Sequence, residues 1–361
     1  MAHSSAMIYS APVKDMLFVM NELAGLSQII SCPRYSSLGN DASAISKILE
    51  KAASDGRRVG SKRIQSSQEL PRLVTTAYNE IVDGGEAFIS GCSNIALIDR
   101  IYQKCLHHTQ AAFNSQVGDI HSDESRKLFV MRSFSESLRA LGYYSASLHD
   151  AMTSSDSSHI TGVNRAIFEF ISPVSQGFSI GLALEAATIG AQIHKRWNFT
   201  PEIELSKISE KDISIWANDL ILQKTLRDGG AVGRVLIRKI EKTEDDLQDS
   251  GSKNALIILR HLTVGRKALD ASIDCLLKGI HPGAVIRGGI GADYLQICGL
   301  VLSGWQMARA ALAAERLRDQ DNSFYEAKIM TAKFFMANIL PRAQALLVSL
   351  INGVGDELSE R

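Results

Sequence analysis

Glu210 is the side chain best set to do chemistry. It opens the segment EKDISIWANDLILQKTLRDGG, where Ile213, Trp216, Leu220 and Leu226 recur near helical spacing before paired glycines stop the run. A carboxylate there could act as a general base if burial raised its proton affinity toward the working pH. Lys211 follows it directly and Lys207 lies three residues before. Ammonium groups close by would hold the carboxylate ionised and weaken it as a base. The same residue also reads simply as an acid in a helix's first turn, favoured by the macrodipole. The second candidate is Gln192-Ile193-His194-Lys195-Arg196-Trp197-Asn198-Phe199. Its Lys-Arg pair could grip a phosphate as point charge and fork, or form a solvated basic turn.

Other reactive types lack the spacing that chemistry needs. His107 and His108 are adjacent and point to different sides of a helix, so they do not form a metal pair. His194, His261 and His281 have no spaced partners, and the 5 cysteines show no paired spacing. Arg287-Gly288-Gly289-Ile290-Gly291 has the look of an anion-binding turn but follows no strand, so it reads as a loop. No serine nucleophile elbow is present. Lys+Arg and Asp+Glu both total 39, which removes any electrostatic bias toward nucleic acid or anionic lipid. The first residues lack a basic region followed by an apolar core, so no secretion signal is expected. Scattered thiols fit a reducing, cytoplasmic setting. Tyr294 to Ala314 is the most apolar run, but Gln296, Gln306 and Arg309 interrupt it. That pattern predicts a buried helix rather than a membrane span.

The elements that must position these residues read as helices throughout. The spacing predicts helices over Pro12 to Leu26, Asp41 to Ser54, Leu70 to Val82, Ile89 to Gln116 and Asp123 to Met152. Another covers Thr161 to Gln192, with Pro173 as the expected break. Four more are expected beyond Gly230: Ala231 to Leu247, Lys253 to Leu277, Asp293 to Arg318, and Tyr325 to Ile351 with a bend at Pro341. The fold class is therefore all-α. The expected organisation is a small N-terminal helical domain over residues 1–86, a four-helix bundle over 87–230 and a helical extension over 231–361.

Taken in order, these segments resemble the acyl-CoA dehydrogenases, in particular the long subfamily with an extra C-terminal helical region. APVKDMLFVMNELAGL resembles that subfamily's opening helix. IALIDRIYQKCLHHTQ, RALGYYSASL and SPVSQGFSIGLALEAATIGAQIH resemble three helices of its bundle. NDLILQKTLRDGG resembles the segment after its active-site glutamate, and YLQICGLVLSGWQMARAALAA and EAKIMTAKFFMANILPRAQAL resemble its extension. The resemblance places Glu210 at the catalytic base, which removes a proton α to a thioester carbonyl while flavin takes hydride. It places Gln192, Lys195, Arg196 and Phe199 at the turn that approaches the cofactor. There the family has glycines; this chain has Lys195, Arg196 and Asn198, and keeps Gln192 and Phe199. The glycines and threonine around the family's glutamate are also absent. A dehydrogenase inserts a β-sheet domain of roughly a hundred residues before the bundle, whereas here Gly84-Gly85 leads almost at once into Ile89. No alternating strand pattern stands nearby.

The resemblance thus implies a helical bundle without the β-domain and with no flavin bound. It implies an interaction module or accessory subunit, as a homo-oligomer or beside an intact dehydrogenase-type partner. The alternative it leaves open is an enzyme acting on an acyl-CoA-like thioester through Glu210, with FAD held across an oligomer interface.

Overall fold

The computed structural model describes residues 86–114, 122–154, 158–195, 210–280 and 288–359. The three helices expected before Gly84 lie outside them. Every regular element among the described residues is helical. α1 is Glu86–Asn114, α2 Ser122–Ser154, α3 Ser158–His194 and α4 Glu210–Ile221. α4 widens into a π-turn at Leu222–Leu226. Then come α5 Ala231–Ser250, α6 Lys253–Gly279, α7 Gly288–Leu317, α8 Asn322–Asn338 and α9 Arg342–Ser359.

α7 is the axis of the structure. It packs against α2, α3, α4, α5, α6, α8 and α9. Its sequence explains this: every residue from Ile297 to Ala308 is buried, and a helix apolar on all sides must be enclosed. The buried-helix reading of Tyr294 to Ala314 therefore holds, with Arg309 the first exposed residue in it.

Glycines set how closely α3 and α7 approach. A Cβ on Gly177 of α3 would lie 2.6 Å from Leu295 Cδ1 of α7. A Cβ on Gly299 of α7 would collide with the Phe178 ring of α3. Each helix supplies the large side chain that fills the other's gap, and Leu295 and Phe178 are both fully enclosed. This contact also explains why Pro173 does not break α3 as expected. Phe170 through Ile180 are all buried, so packing on both flanks holds the helix across the hydrogen bond that proline removes. Ser172 Oγ donates to the Phe168 carbonyl at 2.8 Å in the same turn.

Two further departures have local causes. The expected single last helix is split, because Pro341 offers no N–H. Ile339 and Leu340 N–H groups both turn back to the Phe335 carbonyl, at 2.9 and 3.0 Å, and α9 starts afresh at Arg342. The end of α4 is a π-turn instead of a plain stop. Thr225 Oγ1 donates to the Leu220 carbonyl at 2.9 Å, and its 3.0 Å contact with Tyr294 Oη leaves the tyrosine as donor. Gly229 and Gly230 then take φ of +64° and +76°, the left-handed region that glycine occupies without cost. Asp228 closes the turn, accepting from Gly230 N at 2.8 Å and Val232 N at 2.9 Å. α5 and α6 form a hairpin joined by Arg234 to Asp270 and Asp274, and by Arg266 to Glu241 and Glu244.

Gly299→Ala forces a methyl group into the Phe178 ring, and overpacking of this kind costs about 1–3 kcal/mol. A clear fall in the midpoint of thermal unfolding is expected, and an unchanged midpoint would show that α3 and α7 separate freely.

Candidate functional site

The residues singled out by sequence fall near two helix ends. Gln192 lies exposed in the last turn of α3. Lys195 follows at φ +54°, the one non-glycine residue with positive φ among the described residues. Its N–H donates to the Gln192 carbonyl at 3.3 Å, so it terminates α3 in a left-handed step that glycine usually supplies. Arg196 and Phe199 lie outside the described residues. Glu210 is the first residue of α4, as the sequence reading of a first-turn acid requires. Of Gln192, Lys195, Arg196, Phe199 and Glu210, only Gln192 and Lys195 have described side chains. Residues 288–291, expected as a loop, are instead the first turn of α7. Gly291 there faces α4, and a Cβ on it would stand 3.1 Å from Ala217 Cβ.

Two features near these helix ends escaped the sequence. The His108 and His194 rings meet with centroids 4.2 Å apart at 31°, a pairing across α1 and α3 that no local spacing signals. Among the described residues no group of three metal-ligating side chains assembles. On α4, burial raises the proton affinity of Asp219, Lys224 lowers it and Glu169 raises it again. Lys224 Nζ itself pairs with Glu169 Oε2 at 3.2 Å. The π-turn carries that lysine to α3, and π-turns often mark functional positions.

A cleft of about 440 Å³ opens between α2 and α7, edged by Asp246 of α5. Tyr144 stands on α2, with its ring edge-on to Trp305 at 5.0 Å. Burial pushes the Tyr144 hydroxyl up to about 12, against the lowering effect of Arg309. The Arg309 guanidinium lies over both rings, 5.6 Å from the Tyr144 centroid and 5.7 Å from that of Trp305. Its Nη1 donates to Gln306 Oε1 at 2.9 Å. Tyr144 Oη and Gln306 Nε2 are enclosed with no hydrogen-bond partner. Leaving a buried polar atom in that state costs about 1–3 kcal/mol.

Apolar surface also remains uncovered. Three stretches are long and apolar enough to cross a membrane by length and composition alone. Those within α3 and α7 are each 78% buried, whereas Asn322–Gly355 is only 33% buried. Phe324, Met330, Val348 and Ile351 stand exposed along α8 and α9.

An all-α bundle with a packed helical extension is the class of protein that the fold defines. Comparison with known proteins gives that class its family. Residues 238–357 match the family model described as "Acetyl-CoA dehydrogenase C-terminal like". The chain is 31% identical over 304 residues to 3-methylmercaptopropionyl-CoA dehydrogenase of Ruegeria pomeroyi, covering 78% of this chain and 51% of that protein. It is 24% identical over 244 residues to the broad-specificity linear acyl-CoA dehydrogenase FadE5 of Mycobacterium tuberculosis, covering 61% of this chain and 39% of that protein. These matches support assigning the chain to the acyl-CoA dehydrogenase family. The chain spans about half the length, or less, of these curated relatives.

The Asp219 environment has a measurable consequence. Its proton is held more tightly in the folded than in the unfolded chain, where the ordinary value is 3.8. Folding is therefore favoured below that value and loses stability as pH rises through the folded-state titration. Asp219→Asn should unfold at a higher temperature than the parent near neutral pH and lose that advantage at pH 3. A gain independent of pH would place the cause outside Asp219 titration.

Proposed function

We propose that this chain is an acyl-CoA dehydrogenase-like protein without flavin-dependent dehydrogenation, serving as a helical interaction or accessory subunit in the cytoplasm. One observation carries the reading. The turn closing α3, where the resemblance places cofactor-approaching glycines, has a lysine in the left-handed conformation with its side chain exposed. The backbone keeps a shape suited to glycine, yet it carries a long cationic side chain where close approach to a phosphate needs none. The residues present there do not fit the flavin as the family's glycine turn would receive it. The uncovered apolar face of α8 and α9 supports association with a second copy or with a dehydrogenase-type partner. Cys105, Cys275 and Cys298 are unpaired thiols, and burial pushes Cys105 up to about 12, which fits a reducing compartment and inert sulfur.

The second reading rests on α4 starting at Glu210, the position the resemblance assigns to a base. On that reading the chain handles an acyl-CoA-like thioester, the class of compound for which both relatives are named. A helix start favours the ionised carboxylate, which sets this reading second.

Purified protein should show no flavin absorption band after gel filtration; a stoichiometric yellow chromophore would overturn the first reading. Glu210→Gln separates the two further. The first reading expects folding and biological activity within about 0.3–1 kcal/mol and a small factor of the parent. Loss of a positioned general base would instead cost roughly a hundred- to ten-thousandfold in rate, measured by turnover or complementation.

A further inference from the structure

We propose that the cleft between α2 and α7 is an oxyanion-binding site, taking the carboxylate or phosphate group of a small molecule. The cleft, of about 440 Å³, is within the range that small ligands occupy. Its polar lining includes Tyr144, Ser147, Asp246, Gln306, Arg309 and Arg316. The two arginines are seven residues apart on α7, two helical turns along one face, so both guanidinium groups border the same opening. Neither is ion-paired to a carboxylate among the described residues, so both charges are available to a ligand in the cleft. Arg309 instead rests across Tyr144 and Trp305 and donates one hydrogen bond to Gln306. That leaves most of its fork of donors unused.

Beneath it, Gln306 is 5% exposed. Its Nε2 and the Tyr144 hydroxyl lack hydrogen-bond partners. A carboxylate or phosphate can accept from a guanidinium, an amide and a phenol at once, and guanidinium geometry suits paired oxygens. Arg309 is exposed and tethered by a single hydrogen bond, so it can swing off the rings to receive the anion. Alanines at 310 and 313 leave room between the arginines. Asp246 is the one acid of the lining and opposes an anion at the α5 edge. This site lies apart from Glu210 and from the α3 turn, and it stands whichever reading of function holds.

The full chain should be titrated calorimetrically with inorganic phosphate and with succinate, at ionic strength matched with sodium chloride. Saturable binding is expected with one or both, and the stronger ligand tells whether a free phosphate or an organic carboxylate fits better. Arg309→Gln should weaken it roughly ten- to a hundredfold, the range for losing a charged hydrogen-bond donor. Asp246→Asn should tighten it, a change that a merely structural role would not produce. Should Arg309→Gln fail to fold, Arg316→Gln at the exposed mouth carries the same expectation. Heat no different from the chloride control with both anions, or binding unchanged by the arginine substitution, would overturn the proposal.

Discussion

Everything in this bundle depends on how closely α3 and α7 approach one another. Two helices that each present a glycine opposite the other's large side chain can lie closer than a pair separated by side chains on both surfaces. Gly177 receives Leu295 and Gly299 receives Phe178, so the fit is reciprocal and fixes register as well as distance. A third glycine, Gly181, faces the Gln296 amide, with a hypothetical Cβ 2.9 Å away. With α3 pressed on one side, α7 has no solvent-facing stripe through its middle. The remaining helices complete its cover. Its larger polar residues stand toward the two ends of the enclosure, Gln296 near the start and Gln306 and Arg309 at the cleft, while the small Ser303 is fully buried between them.

That axis also positions α4. Tyr294, one residue before Leu295, is fully buried and gives its hydroxyl proton to Thr225 in the π-turn. Burial raises the Tyr294 hydroxyl well above its ordinary value, so it remains a neutral donor. The Thr225 hydroxyl in turn donates a hydrogen bond to the Leu220 carbonyl. A packing contact between α3 and α7 therefore reaches α4 through a short chain of hydrogen bonds. Gly291 completes the support by letting the first turn of α7 lie against Ala217. The helix that Glu210 opens is held at its middle and its end, both by α7.

Much of this was legible from residue types. The periodicity of α1, α2, α5 and α6 marked their extents to within a few residues, because each has one apolar face and ordinary ends. Glu210 as a helix start and Asp228-Gly229-Gly230 as a stop followed from capping chemistry. Pro173 and Pro341 show the limit. A proline reads alike wherever it stands, but the first is enclosed on both flanks and the second lies at a turn where the chain can leave the helix. Only tertiary contact distinguishes them. The π-turn was hidden for the same reason, since its cause is Tyr294, far along the chain. His108 with His194, and Tyr144 with Gln306 and Arg309, are likewise meetings between distant helices. The candidate site was least legible because it joins residues far apart in sequence, and two of them, Arg196 and Phe199, lie outside the described residues.

The residues that hold the bundle are not the residues that would hold a cofactor. Leu295, Phe178, Tyr294 and Thr225 act in the interior, and none lies at the turn after α3. Lys195 needs only to end a helix, and any residue able to accept a left-handed step at a cost of about 1–2 kcal/mol can do that. Replacing a glycine there would tax stability slightly and leave the interlock of α3 and α7 untouched. The helical core and a flavin turn can thus vary independently in this architecture. Family membership read through the core establishes the fold, and chemistry has to be argued from the helix ends.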